Sequence, residues 1–415
     1  MSVDFEAIRK QEWPVLEQMV FLDAACVSFA PQRTVRAVKA FADMTATQEE
    51  ENSSAHHIAM DDKRHKAYVE AAKLLNADLD EIALVESTSH GLNIAARGIE
   101  LADGDNIITT NLEFIQVALP WCVMRREKKI EIRVCKTKDN RFTVDDFAAL
   151  ADERTRIIVM STLEWCNGWA SDMKAIGDFC QEKGIFLVVD AVQQLGVTKI
   201  DTKECHFDLL VAGGHKWLNS PYGTGVLYVK KGITLEPLVY GGGQERGLVS
   251  GTENTAGCIG LAAAMKEAVE GLDEKMGYVK KLTDKLVKGI MENIPYSHYT
   301  GDPVNRLPGT ASFVFEAIEG EGLILRLDNA GVCGSTGSAC STGSLDPSHV
   351  LMAIGLPHEI AHGSLRLTLG EQNTEEDVDY IIETVTDVVK TLRSMSPVWE
   401  NGHPNLTAAT ELHAH

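Results

Sequence analysis

Short apolar or β-branched runs recur through the first half of the chain, at residues 82–85, 106–110, 130–135, 156–161, 185–190, 209–212 and 225–229. Each is too short for a stable helix and long enough for one buried strand. Between several of them the apolar spacing is helical instead, notably over 66–75, 144–151 and 172–183. Strand and helix in alternation predict an α/β fold with a mostly parallel seven-stranded sheet covered on both faces. After Pro237 the pattern changes. Gly241, Gly242 and Gly243 make a flexible turn, and long helical patterns follow over 255–272 and 277–293. A final helix carries the apolar stripe Val378, Ile381, Val385, Val389 and Leu392, with Thr374 and Asp377 supplying a capping box. The expected organisation is a large α/β domain over 21–255, a smaller α+β domain from 1–20 and 256–397, and a disordered tail over 398–415. The polar stretch 49–62 reads as a solvated loop, whose adjacent His56 and His57 cannot easily face one metal.

The chemistry gathers where strands end. The run at 207–212 leads into Gly213 and Gly214, which let the backbone turn and leave His215 and Lys216 at the strand's carboxyl end. The run at 185–190 ends in Asp190, a carboxylate that needs a cation or a strong donor once buried. Alone, Lys216 would be a solvated surface lysine and Asp190 a helix cap. Together they are the pair that pyridoxal phosphate requires, one residue to form a Schiff base and one to keep the pyridine nitrogen protonated. Small hydroxyl residues after the strand at 82–85, with Thr88 and Ser89 as the candidates, put backbone donors and a helix dipole at one point, which suits a phosphate. Ser and Thr are also the commonest helix caps, so on its own this pattern is weak. Further along, Arg366 sits between Leu365 and Leu367 in a strand pattern, and Cys340 lies in a run of small residues over 334–344 where no packing explains a thiol.

Composition narrows the function. A net charge of −21 without a basic run argues against nucleic acid and anionic membranes as partners. No apolar stretch is long enough to cross a bilayer and the first residues are polar, so a cytoplasmic protein is expected. Nine scattered cysteines with no CxxC pair read as reduced thiols, and no metal site is expected.

These residues carry a resemblance over roughly 21–397. His215 and Lys216 after a glycine turn, with Asp190-Ala-Val-Gln193 upstream, resemble class V, fold-type I enzymes that use pyridoxal phosphate. FLDAAC, NLEFIQVALPW, LEWCNGW and HKWLNSPYGTG resemble the isopenicillin-epimerase-like branch. From Tyr240 onward, YGGGQERGLVSGTEN, GSTGSACSTGSLDPSHVL and SLRLTLG resemble cysteine desulfurases of the nitrogen-fixation type. The resemblance implies a cysteine desulfurase that turns L-cysteine into L-alanine and passes the sulfur, as a persulfide on Cys340, to a sulfur acceptor or iron-sulfur scaffold protein. It implies Lys216 as Schiff-base lysine and base, Asp190 on the pyridine nitrogen, Gln193 on the ring hydroxyl, and His215, Thr88 and Ser89 on the phosphate. Arg366 would fork onto the substrate α-carboxylate. Thr252 would reach the phosphate of a partner subunit, which makes the protein a homodimer.

Three positions depart from the desulfurase pattern, one of them the asparagine expected on the ring oxygen, which is displaced in Glu164-Trp-Cys-Asn167 and carries no role over. Phe114 stands where desulfurases carry a stacking histidine, and it can stack but cannot move a proton. Gly213 stands where a phosphate-binding serine is expected. Phe114 and the first half of the chain favour the alternative, another class V reaction on a small amino acid by an epimerase, an aminotransferase or a cysteine/selenocysteine lyase. Cys333 is expected to be structural.

Overall fold

The computed structural model describes residues 4–47, 52–138, 140–337 and 346–405. Seven strands build the large sheet: β1 Ile82–Val85, β2 Asn106–Thr110, β3 Glu131–Cys135, β4 Thr155–Ser161, β5 Phe186–Asp190, β6 Leu209–Gly213 and β7 Gly225–Val229. Their order is β1-β7-β6-β5-β4-β2-β3, with β7 antiparallel to both neighbours and the other pairs parallel. Successive residues of a strand point to opposite faces. Ile158, Met160, Leu187, Val189, Leu210 and Ala212 accordingly enter one core, and Ile157, Val159, Val188, Leu209 and Val211 enter the other. Burial on both faces is why these strands read as unbroken apolar runs.

The helices are α1 Gln32–Thr47, α2 Ser53–Leu75, α3 Thr88–Gly98, α4 Ile115–Glu127, α5 Met173–Lys183, α6 Thr255–Val269, α7 Leu272–Asn293, α8 Gly320–Asn329 and α9 Glu375–Met395, besides shorter turns. One glycine fixes how α3 meets the sheet. A β-carbon on Gly91 would lie 2.4 Å from Val211 Cγ1, so only glycine lets the helix press onto β6. That contact sets the first turn of α3 beside the carboxyl end of β6.

A three-stranded antiparallel sheet forms the second body, with β8 Ser297–Tyr299, β9 Thr310–Phe315 and β10 Ser364–Thr368 in the order β10-β9-β8. Its core draws Leu282 and Leu286 from α7, Leu323 from α8, Val378 and Ile381 from α9, and Leu22 from the start of the chain. The strand Val20–Phe21 pairs in parallel with Val332–Cys333, which ties the N-terminal segment to this body. Thr374 and Asp377 form the capping box of α9.

Three expectations differ from the structure. The polar stretch 49–62, expected as a loop, is helical from Ser53, where the Asn52 side chain accepts the Ala55 N–H and starts α2. Its first turns join no core cluster among the described residues and leave Ile58 62% exposed, and Arg64 is paired with Glu253. Farther on, Ala67, Ala71 and Leu74 join the core. Helix α6 packs against α1 and α2, and its Cys258, Leu261 and Met265 share the core of the large sheet, although the expected boundary at 255 leaves it in the smaller domain. Inside the stretch expected as a disordered tail, the chain makes a small hairpin, Trp399–Glu400 against His403–Pro404, and the rest of that expectation, 406–415, lies outside the described residues. The Arg393 guanidinium stands 4.5 Å over the Trp399 ring and holds it down. Among the described residues no helix is long and apolar enough to cross a membrane.

Candidate active site

Asp190 is the last residue of β5 and is 3% exposed. Its Oδ1 accepts the Val192 N–H at 2.9 Å, and its Oδ2 accepts the Gln116 amide at 2.9 Å. Burial pushes this carboxyl up, while those two donors and the Lys216 charge pull it back toward the ionised form. One strand over, β6 ends at Gly213. A β-carbon on Gly214 would lie 2.8 Å from that of Ser220, so glycine is required for the turn that presents His215 and Lys216. Lys216 Nζ stands 5.7 Å from the centroid of the Phe114 ring. Burial, and then the Lys216 charge, lower the pKa of His215.

The first turn of α3 meets these strand ends. Ser87, not Thr88 or Ser89, caps the helix by accepting the His90 N–H. Thr88 is buried and accepts the Gly213 N–H at 2.9 Å, which leaves its own O–H free to donate. Ser89 Oγ donates to Gln116 Oε1 at 3.0 Å. A single amide, that of Gln116, thus links Ser89 to Asp190. Gln193, nearby, has one of its two amide donors and one of its two acceptor positions in use. It donates to the Ala25 carbonyl at 3.1 Å and accepts the Trp217 indole N–H at 2.7 Å, fastening the Lys216 turn to the N-terminal segment.

The other end of the site is assembled from three distant segments. Arg366 on β10 is 3% exposed, with Nη1 donating to the Trp165 carbonyl at 2.9 Å and Nη2 to Asp23 Oδ1 at 3.1 Å. Its Nε is buried without a hydrogen-bond partner. Burial raises Asp23 to about 7, although Arg366 opposes the shift. The Arg366 backbone exchanges hydrogen bonds with Ser335, at the start of the small-residue run. Cys340 lies outside the described residues. At the edges of that gap the buried Cys166 thiol lies under Gly337 and 3.8 Å from Ser348 Oγ, and desolvation pushes it up to about 12. Cys333 is half-buried against Met19.

Thr252 is exposed, and among the described residues it is not hydrogen-bonded to Asp190, Lys216 or Thr88 of its own chain. The segment before it is braced on the sheet edge. Glu245 Oε2 accepts the Leu84 N–H at 2.8 Å and Arg246 Nη1 donates to the Ile82 carbonyl at 2.6 Å, both from residues with positive φ.

Sequence reasoning passed over Gln116, Asp23 and two buried glutamates. Glu113 takes Thr110 Oγ1 at 2.8 Å and Ser161 Oγ at 2.6 Å, and burial raises it to about 7. Glu164 accepts the Cys166 and Asn167 N–H groups, and burial raises it to about 8. Gln116 had one available signal, its place two residues after Phe114 in the motif NLEFIQ.

The donor set fits pyridoxal phosphate. An amine over an aromatic face, a buried carboxylate at the adjacent strand end and hydroxyls at a helix N-terminus are the groups that its aldehyde, ring nitrogen and phosphate need.

The aminotransferase class-V family model matches residues 20–381. Cysteine desulfurase IscS of Clostridium botulinum is 42% identical over 336 residues, which is 80% of this chain and 84% of the relative. Cysteine desulfurase NifS of Azotobacter vinelandii is 36% identical over 347 residues, covering 82% and 85%. Among solved structures, a NifS-like protein is 27% identical with a TM-score of 0.80, covering 90% of this chain and all of that one, 100%. The cysteine desulfurase CsdA of Escherichia coli, 21% identical with a TM-score of 0.82 over 94% of this chain and 100% of its own, is alike in fold.

Proposed function

Because this chain belongs to the aminotransferase class-V family, we propose that it is a pyridoxal-phosphate-dependent cysteine desulfurase, turning L-cysteine into L-alanine and carrying the sulfur as a persulfide on Cys340. The observation that supports this most is the meeting of Lys216, Phe114 and Asp190 at neighbouring strand ends, in a chain whose relatives at 36–42% identity carry that name. Asp190 holds the ring nitrogen, Phe114 covers a ring face, and Thr88, Ser89, His215 and the α3 N-terminus take the phosphate. Bound there, pyridoxal phosphate supplies an electron sink for the bond broken at the substrate Cα.

The chain's own groups do the rest. Lys216, at the strand end over the Phe114 ring, is the group that takes the Cα proton. Arg366 orients the α-carboxylate. The Cys340 thiolate attacks the substrate sulfur; the Cβ–S bond breaks, its electron pair stays with the carbon skeleton and is matched by a proton, and the sulfur remains on Cys340. Phe114 can hold the ring in place but takes no part in moving protons, so Lys216 carries that work. The sulfur then passes to an acceptor such as an iron-sulfur scaffold protein. Thr252 completes the phosphate site of a second copy, and exposed Ile115 and Leu119, on one face of α4, are surface that such a copy would cover. The reading places the enzyme in the cytoplasm.

The test is to incubate the purified protein with L-cysteine and a dithiol acceptor and to quantify alanine, pyruvate and sulfide. Alanine and sulfide in equal amounts are expected, with transfer lost in Cys340→Ala. Phe114 in place of a histidine favours one second reading, a β-elimination lyase, and pyruvate as the product would put that reading first.

A further inference from the structure

A buried guanidinium needs an anion, and in this chain Arg366 already has one. Its five N–H donors are partly taken: Nη1 by the Trp165 carbonyl at 2.9 Å and Nη2 by Asp23 Oδ1 at 3.1 Å, while Nε is buried with no partner. Backbone hydrogen bonds to Ser335, at 2.6 and 3.1 Å, fix the residue along the strand. A ligand carboxylate arriving at the open donors therefore shares one cation with the Asp23 carboxylate. Two carboxylates in one poorly solvated site do not both stay ionised.

Asp23 is also well placed to be the one that yields. Its side chain is 22% exposed, so a proton can reach it from solvent. The titratable and charged groups around it are Arg366 from β10, Cys26 from its own turn and Cys333 from the strand beside Phe21, with Glu164 and Cys166 behind Arg366. Arg366 is the cation in that set. The turn that carries Asp23 is fixed, because the Asp23 carbonyl accepts the Cys26 and Val27 N–H groups while Ser28 N–H is bonded to the His215 carbonyl at 3.0 Å. The same turn is held at Ala25 by Gln193.

We propose that Asp23 is a built-in competitor for the substrate α-carboxylate, so that L-cysteine binds Arg366 together with a proton that neutralises Asp23. The proposal rests on the reading of Arg366 as the carboxylate anchor. Its sign follows from burial, which has already raised Asp23 to about 7. Below that pH the group is protonated, Arg366 is unopposed, and affinity is flat. Above it a proton must enter with the ligand, and affinity falls by up to about tenfold per pH unit.

The test uses the cofactor-loaded enzyme and 3-mercaptopropionate, which keeps the carboxylate and thiol of cysteine and lacks the amine that would react with the cofactor. Calorimetric titrations in two buffers of different ionisation enthalpy, from about pH 6 to about pH 8.5, count the protons taken up. Uptake should climb from near zero toward one per ligand as Kd weakens. Asp23→Asn should bind with a flat Kd and no uptake, and about tenfold more tightly than wild type at the alkaline end. A flat wild-type Kd without proton uptake overturns the proposal, whether or not the variant folds. Uptake that persists in Asp23→Asn also overturns it, since another group such as Cys26 would then be taking the proton. If Arg366→Lys binds the probe as wild type does, the carboxylate anchor and this proposal fall together. If the linkage holds while L-cysteine gives no alanine, the desulfurase reading fails and the role of Asp23 stands.

Discussion

Asp190 and Arg366 are equally buried, 3% exposed each, and mark the two ends of the site, but they are satisfied in different ways. Asp190 is held by neutral donors, an amide side chain and a backbone N–H, and keeps its negative charge available. Arg366 is held by a carbonyl and a carboxylate, so its charge is largely answered before any ligand arrives. The cofactor end is built from adjacent strand ends of one sheet, where hydrogen-bond register sets each position. The substrate end is gathered from segments that only tertiary packing brings together. A single substitution at the first end should remove a chemical group and leave its frame standing. At the second it should disturb a network.

Lys216→Ala should show the first behaviour at its most extreme. The side chain is half-buried and lies over the Phe114 ring, so its loss should leave the fold intact while turnover of L-cysteine drops by roughly three orders of magnitude or more. Borohydride reduction of the yellow wild-type protein should fix the label on Lys216, read by peptide mapping. A label on another lysine would remove the cofactor end from these strand ends altogether.

Arg366→Lys probes the second. An ammonium cannot reproduce the planar fork, and Asp23 and the Trp165 carbonyl would lose their donors. We expect kcat/KM for L-cysteine to fall by about a hundredfold, equivalent to ~3 kcal/mol, mostly through KM, with a measurable drop in melting temperature. Cysteamine, which has no carboxylate, should bind the two proteins alike. A loss confined to kcat would mean that Arg366 does not hold the carboxylate.

The same contrast decides what could be read from the chain. The central strands β5 and β6 were legible because burial on both faces leaves a continuous apolar run, and Lys216 and Asp190 because a glycine turn and a strand end announce themselves locally. Helix α2 extends farther than the spacing over 66–75 predicts, because its first turns are rich in polar residues and enter no core cluster among the described residues, the core contacts starting at Ala67. Gln116 was passed over because Pro120 interrupts the pattern of α4, so the helix that aims it was not foreseen. The pairing of Arg366 with Asp23 spans 343 residues and leaves no local trace. The resemblance supplied Arg366 itself, but nothing at position 23 signals that its carboxylate already occupies the anchor.

Gly213→Ser tests whether the cofactor end is as rigid as strand register suggests. The resemblance leads one to expect a serine here, and a serine hydroxyl could add one charge-assisted hydrogen bond to the phosphate, worth about 1.5–3 kcal/mol. The surroundings oppose it. A β-carbon at this position would stand 3.0 Å from Thr88 Oγ1 and 3.2 Å from two atoms of the His215 ring, both of them phosphate candidates. Moving either aside costs about 1–3 kcal/mol, and the Gly213 N–H to Thr88 hydrogen bond at 2.9 Å has to survive the shift. The two contributions nearly cancel, so pyridoxal phosphate affinity, measured by equilibrium dialysis, should change by no more than about threefold, with a melting temperature lower by roughly 2 °C. A gain of about tenfold or more would mean that Thr88 and His215 move aside freely, and the cofactor end would then be as adaptable as the one around Arg366.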